Sequence, residues 1–484
     1  MIKASILFFY SPFLLIGCSL APAYKQPPMP IPLNYKESGT WVMSKPSLFE
    51  AKKNAPWWTM YEDETLNQLE QKVTTGNQNL KIAFERYEEA KAILESARSK
   101  MYPSLLGIAG ESRQKNSRNL GNAKNNSNFI YDTISLGGYL SYEIDAWGMV
   151  RNQVSAAKHL ALASKYDLAA IDLSLHALLA STYFQLQGDN QIQVVLDNNV
   201  RVYQKALYLT RQLHRVGAAS ALEEDEIVRR LERAQASAID MQLKRAQLEH
   251  ALAILVGEIP ANFHMPPVKK QGHTVTVSPN LPSTLLAQRP DIAAAAERVQ
   301  SANATIGVAR AAFLPQLNLG TIVGYQSDRF SNLFSTPSFI WSLGPPSSTI
   351  IPVEVVSEAQ QILFDGFKLQ ALLKKAKSSY YQSVDYYKQV VLNAFKEVED
   401  SLVAVHKLDQ EYSKQTVSTT AAKAALNQAN HRWKVGIYTF LNVVLFEIDA
   451  IDAEIELINI STRRQIASVH LIEALGGGWC SKCG

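Results

Sequence analysis

The sequence contains one unit twice, and this internal duplication constrains the possible folds more than any other feature. Residues 79–105 align with residues 291–317 at a constant offset of 212, and nine aligned positions are identical. The identical pairs are Ala83/Ala295, Glu85/Glu297, Arg86/Arg298, Ala90/Ala302, Ala92/Ala304, Ala97/Ala309, Arg98/Arg310, Pro103/Pro315 and Leu105/Leu317. At an offset of 219, residues 215–222 match residues 434–441, and each segment carries a Val-Gly pair. The chain is therefore predicted to consist of two tandem structural repeats.

Each repeat is predicted to begin with a helix of moderate length. These helices are expected over residues 66–101 and 284–312. Pro103 and Pro315 follow them, and proline cannot continue a helix and favours extended geometry in the residue before it. The same order of elements is therefore expected in both copies.

Strands are predicted where apolar and polar residues alternate, because period-two alternation indicates a strand with one apolar face. The alternation is clearest in residues 136–145 and 316–326. A polar loop, such as residues 327–349, separates the two strands of each repeat. The last strand is assigned to the less regular residues 353–364. About four strands per chain result, near the ten residues that cross a bilayer as a tilted strand.

Two very long helices are predicted over residues 149–213 and 367–432. Each is followed by a return helix, and apolar residues recur every 3.5 residues, as in an antiparallel coiled coil. In the first long helix these positions are Val154, Ala157, Ala161, Ser164, Leu168, Ile171, Leu175 and Leu178. In the return helix they are Leu231, Ala234, Ala238, Met241, Leu248, Leu252 and Leu255, and in the second repeat Val391, Phe395, Val398, Leu402 and Val405. At about 1.5 Å per residue, each long helix reaches on the order of 100 Å.

Four strands are too few to close a barrel within one chain. An open sheet edge in lipid would leave N–H and C=O groups unpaired. If the strands lie in a membrane, several chains must combine them into one barrel. The alternative at this point is a small soluble β-domain between coiled-coil arms.

The N-terminal sequence has the features of an export signal that ends at a cysteine. One cation, Lys3, precedes an apolar stretch over residues 6–16, which is too short for a membrane-spanning helix. Residues 15–18, Leu-Ile-Gly-Cys, resemble the bacterial lipobox, in which the cysteine becomes the lipidated first residue. An ordinary signal peptide with an incidental Cys18 is the alternative. The other two cysteines, at 480 and 483, either close a small disulfide loop or belong to a dispensable tail.

No sequence feature indicates chemistry. The motifs HExxH, GxSxG and the Walker loop are absent, so no catalytic residue, metal site or cofactor is expected. His159 and His176, in the first long helix, are interpreted as polar surface or seam residues without a metal-ligand partner four residues away. With 48 basic and 44 acidic residues the net charge is +4, and no nucleic-acid partner is expected.

Several long motifs are chemically distinctive: WWTMYEDETLNQL (57–69), EIDAWGMVR (143–151), QRPDIAAAAERVQSANATIGVARAAFLPQL (288–317), ILFDGFKL (362–369), FKEVEDSL (395–402) and EALGGGW (473–479). They resemble the TolC-like outer-membrane factor family, lipoprotein branch. The resemblance implies a mainly α fold with a membrane β-barrel, in which a homotrimer forms a 12-stranded barrel and a periplasmic helical tunnel. It also implies a passive exit duct in the Gram-negative outer membrane, with a periplasmic adaptor and an inner-membrane transporter as partners. A non-channel coiled-coil structural lipoprotein remains the alternative.

The resemblance assigns roles to individual residues. Cys18 is expected to be acylated and to anchor the chain in outer-membrane lipid. The two hairpin tips are expected to contact the adaptor. Glycine past a helix end also supplies positive φ, which is a purely structural reason for its presence there. The tip residues are Arg215, Val216, Gly217, Lys434, Val435 and Gly436.

The periplasmic gate is expected just after the second tip. Leu441 matches a constricting apolar position of the family, and Asn442 is placed to hydrogen-bond across a three-fold axis. Leu445 stands where family members commonly carry an aspartate, so a closed gate here would exclude water and ions by dewetting. Alternatively, Leu441 and Leu445 are spaced i, i+4 and belong to the seam.

The domain organisation follows from these features. The predicted segments are a signal peptide (1–17), a lipidated extended segment (18–65), the first repeat (66–260), a linker (261–283), the second repeat (284–478) and a C-terminal tail (479–484).

Overall fold

The structure is a computed structural model that describes residues 19–37, 56–115, 130–265, 287–343 and 358–479. The predictions for the signal peptide, for Cys18 and for the cysteines at 480 and 483 lie outside these residues. So does most of the predicted linker.

Seven α-helices lie within the described residues. In chain order they are α1 (Glu64–Gly76), α2 (Gln78–Ser99), α3 (Met149–Arg215), α4 (Ala221–Val256), α5 (Pro290–Ala311), α6 (Lys368–Lys434) and α7 (Phe440–Ala474). Helices α2 and α5 both have 22 residues, and α3 and α6 both have 67. Their bounds differ by the offsets of 212 and 219 that the sequence shows, which agrees with two tandem repeats of one unit. No helix among the described residues is sufficiently long and apolar to cross a bilayer.

The described strands form one antiparallel sheet. They are β1 (Ser104–Lys115), β2 (Ile130–Ile144), β3 (Gln316–Ser327), β4 (Phe339–Leu343) and β5 (Glu358–Gln360). Their order is β1-β2-β3-β4, and β5 also pairs with β3. The β2–β3 ladder runs from Ile134 opposite Ser327 to Ile144 opposite Leu317, so it joins the two repeats in one sheet.

The strand prediction was wrong in the second half of the sheet. Strand β4 lies inside residues 327–349, which were predicted as a loop. Only the three residues of β5 are a strand within the described part of segment 353–364. The aromatic and β-branched residues of β4 favour a strand, but proline and serine around them obscured that preference.

The first predicted helix is also interrupted. Residues 66–101 contain two helices, α1 and α2, because Asn77 leaves the helical conformation. The Asn77 side chain accepts a hydrogen bond from the N–H of Leu80 (3.1 Å) and donates to the carbonyl of Leu255 (2.8 Å). A Cβ at Gly76 would lie only 2.1 Å from the carbonyl oxygen of Val256. The Gly-Asn pair is therefore a helix boundary set by close packing against the end of α4.

The chain divides into two compact units, and each contains parts of both repeats. The first unit comprises Met1–Pro27, Glu88–Ala163 and Ala295–Tyr386, and it holds all five described strands. The second comprises Pro28–Tyr87, Ser164–Ala294 and Tyr387–Gly484. The domain boundaries drawn from the sequence remain a prediction.

The coiled-coil seam is largely buried. In the second unit, one apolar cluster joins α3, α4 and α7 through Tyr203, Ala206, Leu207, Ile227, Leu231, Ala234 and Val444. Val391, Val398 and Leu402 of α6 are fully buried. The prediction that Leu178 lies in the seam is wrong, since its side chain is 52% exposed while that of Leu179 is buried. An α-helix has 3.6 residues per turn, so a strict 3.5-residue seam drifts out of the packed face over such a length.

Candidate functional site: the helical hairpin tips

The first hairpin tip is a glycine-terminated helix end. Helix α3 stops at Arg215, and Gly217 has φ of 75°. The N–H of Gly217 donates to the carbonyl of His214 (3.0 Å), and the N–H of Ala218 donates to that of Leu213 (2.8 Å). These bonds satisfy carbonyls that the helix end leaves without partners, and positive φ suits glycine.

The return helix starts immediately after this turn. Ser220 and Glu223 form a capping box at the N-terminus of α4, in which the Ser220 hydroxyl accepts from the Glu223 N–H and the Glu223 carboxylate accepts from the Ser220 N–H. Arg211 of α3 donates from Nε to Oε1 of Glu224 at 2.9 Å. The tip is thereby a short, well-defined turn between two antiparallel helices.

The second tip repeats this geometry. Helix α6 ends at Lys434, and Gly436 has φ of 77°. Its N–H donates to the carbonyl of Trp433 (2.9 Å), and the N–H of Ile437 donates to that of Arg432 (2.9 Å). The two Val-Gly pairs therefore occupy equivalent turns, as the sequence alignment predicts.

The two tips meet within the second unit. A groove of about 260 Å³ lies between them. It is lined by Thr210, Leu213, Ala218, Ala219, Glu223, Ile227, Trp433, Tyr438, Thr439, Phe440 and Leu441. Beside it, the side chains of Val216, Val435 and Ile437 are strongly exposed. The tips thus present apolar groups of both repeats on one surface.

The two candidate gate leucines lie outside the chain's own core. Leu441 is 36% exposed and Leu445 is 47% exposed, whereas Val443 and Val444 on the other face of α7 are buried. Asp449 continues the exposed side one turn later. Both leucines thus lie outside the buried seam of the single chain, and their assignment to a gate stays a prediction.

Asn442 has a local role at the start of α7. Its Oδ1 accepts hydrogen bonds from the backbone N–H (3.2 Å) and the hydroxyl (2.6 Å) of Thr439. The Thr-x-x-Asn spacing is the sequence signal for such a helix start. A bond across a three-fold axis would compete with this capping arrangement.

One buried cluster escaped sequence reasoning. His176 is buried, with Nδ1 2.5 Å from Glu70 Oε2 and Nε2 3.4 Å from Asp172. Its ring stacks on Trp58 at 4.3 Å. Asp172 lies four residues before His176. The expectation that this histidine has no metal-ligating residue four positions away was therefore wrong. Even so, no group of three or more His, Cys, Asp and Glu in the described residues is arranged to hold a metal ion.

Protonation of this cluster is shifted by its surroundings. Burial raises the pKa of the Glu70 carboxyl to about 7, although the hydrogen bond from His176 opposes the shift. Burial lowers the pKa of His176, but hydrogen bonds to Asp172 and Glu70 outweigh this and bring it to about 9. The cluster therefore holds protons that the unfolded chain would release.

The profile of the family described as outer membrane efflux protein matches the chain twice, over residues 69–258 and 281–477. The cation efflux system protein CusC of Escherichia coli O6:H1 is 29% identical over 96% of both chains. The probable outer membrane lipoprotein SilC of Salmonella typhimurium is 28% identical over 99% of this chain and 100% of its own length.

Solved structures are similar over nearly the whole chain. The outer membrane channel CmeC of Campylobacter jejuni superimposes with a TM-score of 0.85 at 25% identity, covering 96% of both chains. CusC is named an efflux system protein and CmeC an outer membrane channel, and neither supports a non-channel structural lipoprotein.

Proposed function

Because this chain belongs to the outer membrane efflux protein family, we propose that it forms the passive exit duct of a tripartite efflux or export system in the outer membrane. Strands β4 and β5 pair with successive parts of β3 and occupy one position in the sheet. Three copies with four strand positions each would therefore form one 12-stranded barrel. A periplasmic adaptor and an inner-membrane transporter would open the duct at its periplasmic end. The duct itself carries out no chemical reaction in this proposal.

The open sheet is the observation that carries the proposal. Among the described strands, β1 pairs with β2 alone, so its other edge is free. Leu105 and Leu106 on this strand and Trp341 on β4 are strongly exposed. Exposed apolar side chains on an open-edged sheet are costly in water, and in lipid the unpaired edge is costly as well. Neighbouring copies of the chain would remove both costs.

The lipid anchor is assigned to Cys18. The lipobox-like sequence and the similarity to a protein named as a probable outer membrane lipoprotein support this assignment. Several acyl chains on one residue would exceed the marginal membrane binding of a single chain.

The adaptor contact is assigned to the two tips, Arg215–Gly217 and Lys434–Gly436. Their support is the groove between the tips and the exposed valines beside it. The gate is assigned to Leu441 and Leu445, with Asn442 fixing the start of α7. A narrow ring of leucines would exclude water and ions by dewetting until the adaptor opens it.

Planar bilayer recording with the purified full-length protein tests the proposal. We expect discrete conductance steps, together with an oligomer in SDS that dissociates only on heating. A monomer that remains in solution and never produces a conductance step would refute the duct.

A further inference from the structure

We propose that a cradle formed by Asn152, Asn303, Gly307 and Arg310 recognises Ser19–Pro22, the segment that directly follows Cys18, and couples the lipid anchor to the unit that carries the strands. The inference rests on the proposed acylation of Cys18, the residue immediately before this segment. All the residues of the cradle and its occupant belong to the first unit.

Three of the four residues of the segment, Ser19, Leu20 and Pro22, form hydrogen bonds with the cradle. The Ser19 hydroxyl donates to Asn152 Oδ1 at 2.9 Å. Arg310 donates from Nη1 to the carbonyl of Leu20 at 3.1 Å, and Asn303 donates from Nδ2 to the carbonyl of Pro22 at 2.8 Å. Two of these bonds reach backbone carbonyls, so the segment is held by its main chain.

The remaining residue, Ala21, lies directly against Gly307. A Cβ at position 307 would lie 2.8 Å from both the backbone nitrogen and the Cβ of Ala21, and 2.6 Å from Nδ2 of Asn152. Glycine inside a helix is about 1 kcal/mol less favourable than alanine. Its presence in the middle of α5 is explained by this close approach of the segment.

The duplicated helix provides an internal comparison. Asn303, Gly307 and Arg310 lie on one face of α5, at spacings of four and three residues. At the offset of 212, Arg310 aligns with Arg98 of α2, but the other two positions are Lys91 and Glu95. The second repeat therefore carries a glycine and an amide where the first carries two long charged side chains. The cradle is specific to the helix that contacts the N-terminal segment.

The physical consequence is a fixed tether. Asn152 and Asn303 are buried, with exposed fractions of 5% and 7%, so their bonds to the segment are partly shielded from water. A chain held from Ser19 onward leaves the acylated residue little freedom relative to the strand-bearing unit. The acyl groups would then be held near the sheet and would not hang on a free linker.

Limited proteolysis of the full-length protein, purified from membranes in detergent, tests the cradle. Lys25 is exposed and follows the segment, so tryptic cleavage after it releases residues 18–25 as a lipopeptide. Two variants weaken the cradle: Gly307→Val fills it, and the double variant Asn303→Ala with Arg310→Ala removes the two bonds to carbonyls. Thr305→Ala, on an exposed position of the same helix, is the matched control.

We expect both cradle variants to release the lipopeptide about tenfold faster or more. The double variant removes two hydrogen bonds that oppose opening of the segment, and Gly307→Val displaces the segment by steric overlap with Ala21. The control should match the wild type. If Gly307→Val does not fold into a heat-dissociable oligomer, the double variant decides, because it only deletes side-chain donors.

The outcomes separate the cradle from the lipid anchor. Mass spectrometry of the released peptide reports acylation of Cys18 directly, and a peptide without acyl chains would refute the anchor. If the acylated peptide is released from the wild type and from the double variant at the same rate, the proposed cradle is refuted. The proposed lipid anchor is not affected by that result.

Discussion

At the scale of single residues, the Glu70–His176 pair links protonation to folding. Both groups lie in the second unit, both are buried, and the Trp58 ring covers the imidazole. The two carboxylates that face the ring are Glu70 and Asp172. The partner that defines the site, Glu70, is 106 residues away in sequence, which explains why helical spacing could not reveal it.

We expect the free energy of unfolding to fall as the pH rises from 5 to 9. The folded pKa of His176 lies above its ordinary 6.5, so its stabilisation is complete below that value and is lost as pH rises through about 9. The folded pKa of Glu70 lies above its ordinary 4.5, so ionisation disfavours the folded state up to about pH 7. Both effects have the same sign, so the loss of stability accumulates over the whole interval as the pH rises.

Unfolding curves at several pH values measure this dependence. The double variant Glu70→Gln with His176→Gln removes both titrations and retains a polar pair, so its stability should vary less with pH than that of the wild type. His250→Gln, at an exposed position of α4, is the control and should keep the wild-type dependence. Parallel curves for the double variant and the wild type would contradict the linkage.

The gate leucines give a second prediction at this scale. Leu441→Ala or Leu445→Ala should raise the single-channel conductance in planar bilayers, because a smaller apolar ring dewets less readily. Leu222 aligns with Leu441 in the first repeat and is 78% exposed, which makes Leu222→Ala the matched control. Equal conductance in all three variants would favour a seam role for these leucines.

At the scale of elements, long periodic helices were predictable and short interruptions were not. Helices α3 and α6 start and end within two residues of their predictions, since dozens of residues contribute to one period. The break at Asn77 depends on contact with a distant segment, such as Gly76 with Val256, and β4 depends on pairing with β3. Tip positions were predictable for a local reason, because a Val-Gly pair at a helix end signals its stop in both repeats.

Substitution of a tip glycine should destabilise the turn through the left-handed backbone conformation and not through steric clashes. A Cβ at Gly217 would meet no atom within 4 Å, so Gly217→Ala should cost only the roughly 1–2 kcal/mol of a left-handed residue. Hydrogen exchange at the Ala218 N–H, which bonds Leu213, should accelerate by roughly tenfold. Asparagine tolerates this conformation, so Gly217→Asn should exchange more slowly than the alanine variant. Identical exchange in all three proteins would contradict the proposed turn.

At the scale of the whole molecule, the free edge of β1 makes the chain dependent on its own copies. The described sheet ends in two different edge strands, β1 and β4. Identical chains that pair unlike edges head to tail leave no edge free once the ring closes. Four strands per chain are too few to close a barrel, so several copies are required, and the family resemblance implies three. Copy number is therefore the quantity to measure, independently of any channel activity.

Co-expression of a tagged and an untagged version of the full chain measures it. Random mixing in a ring of n subunits gives n + 1 species, so a trimer should resolve into four bands on a native gel or four masses by native mass spectrometry. Mixing the two purified versions afterwards is the control and should give only the two unmixed species, because exchange would expose the strand edges to water or lipid. A different number of species would rule out the trimer, and free exchange would show that the edges are not sealed by neighbouring copies.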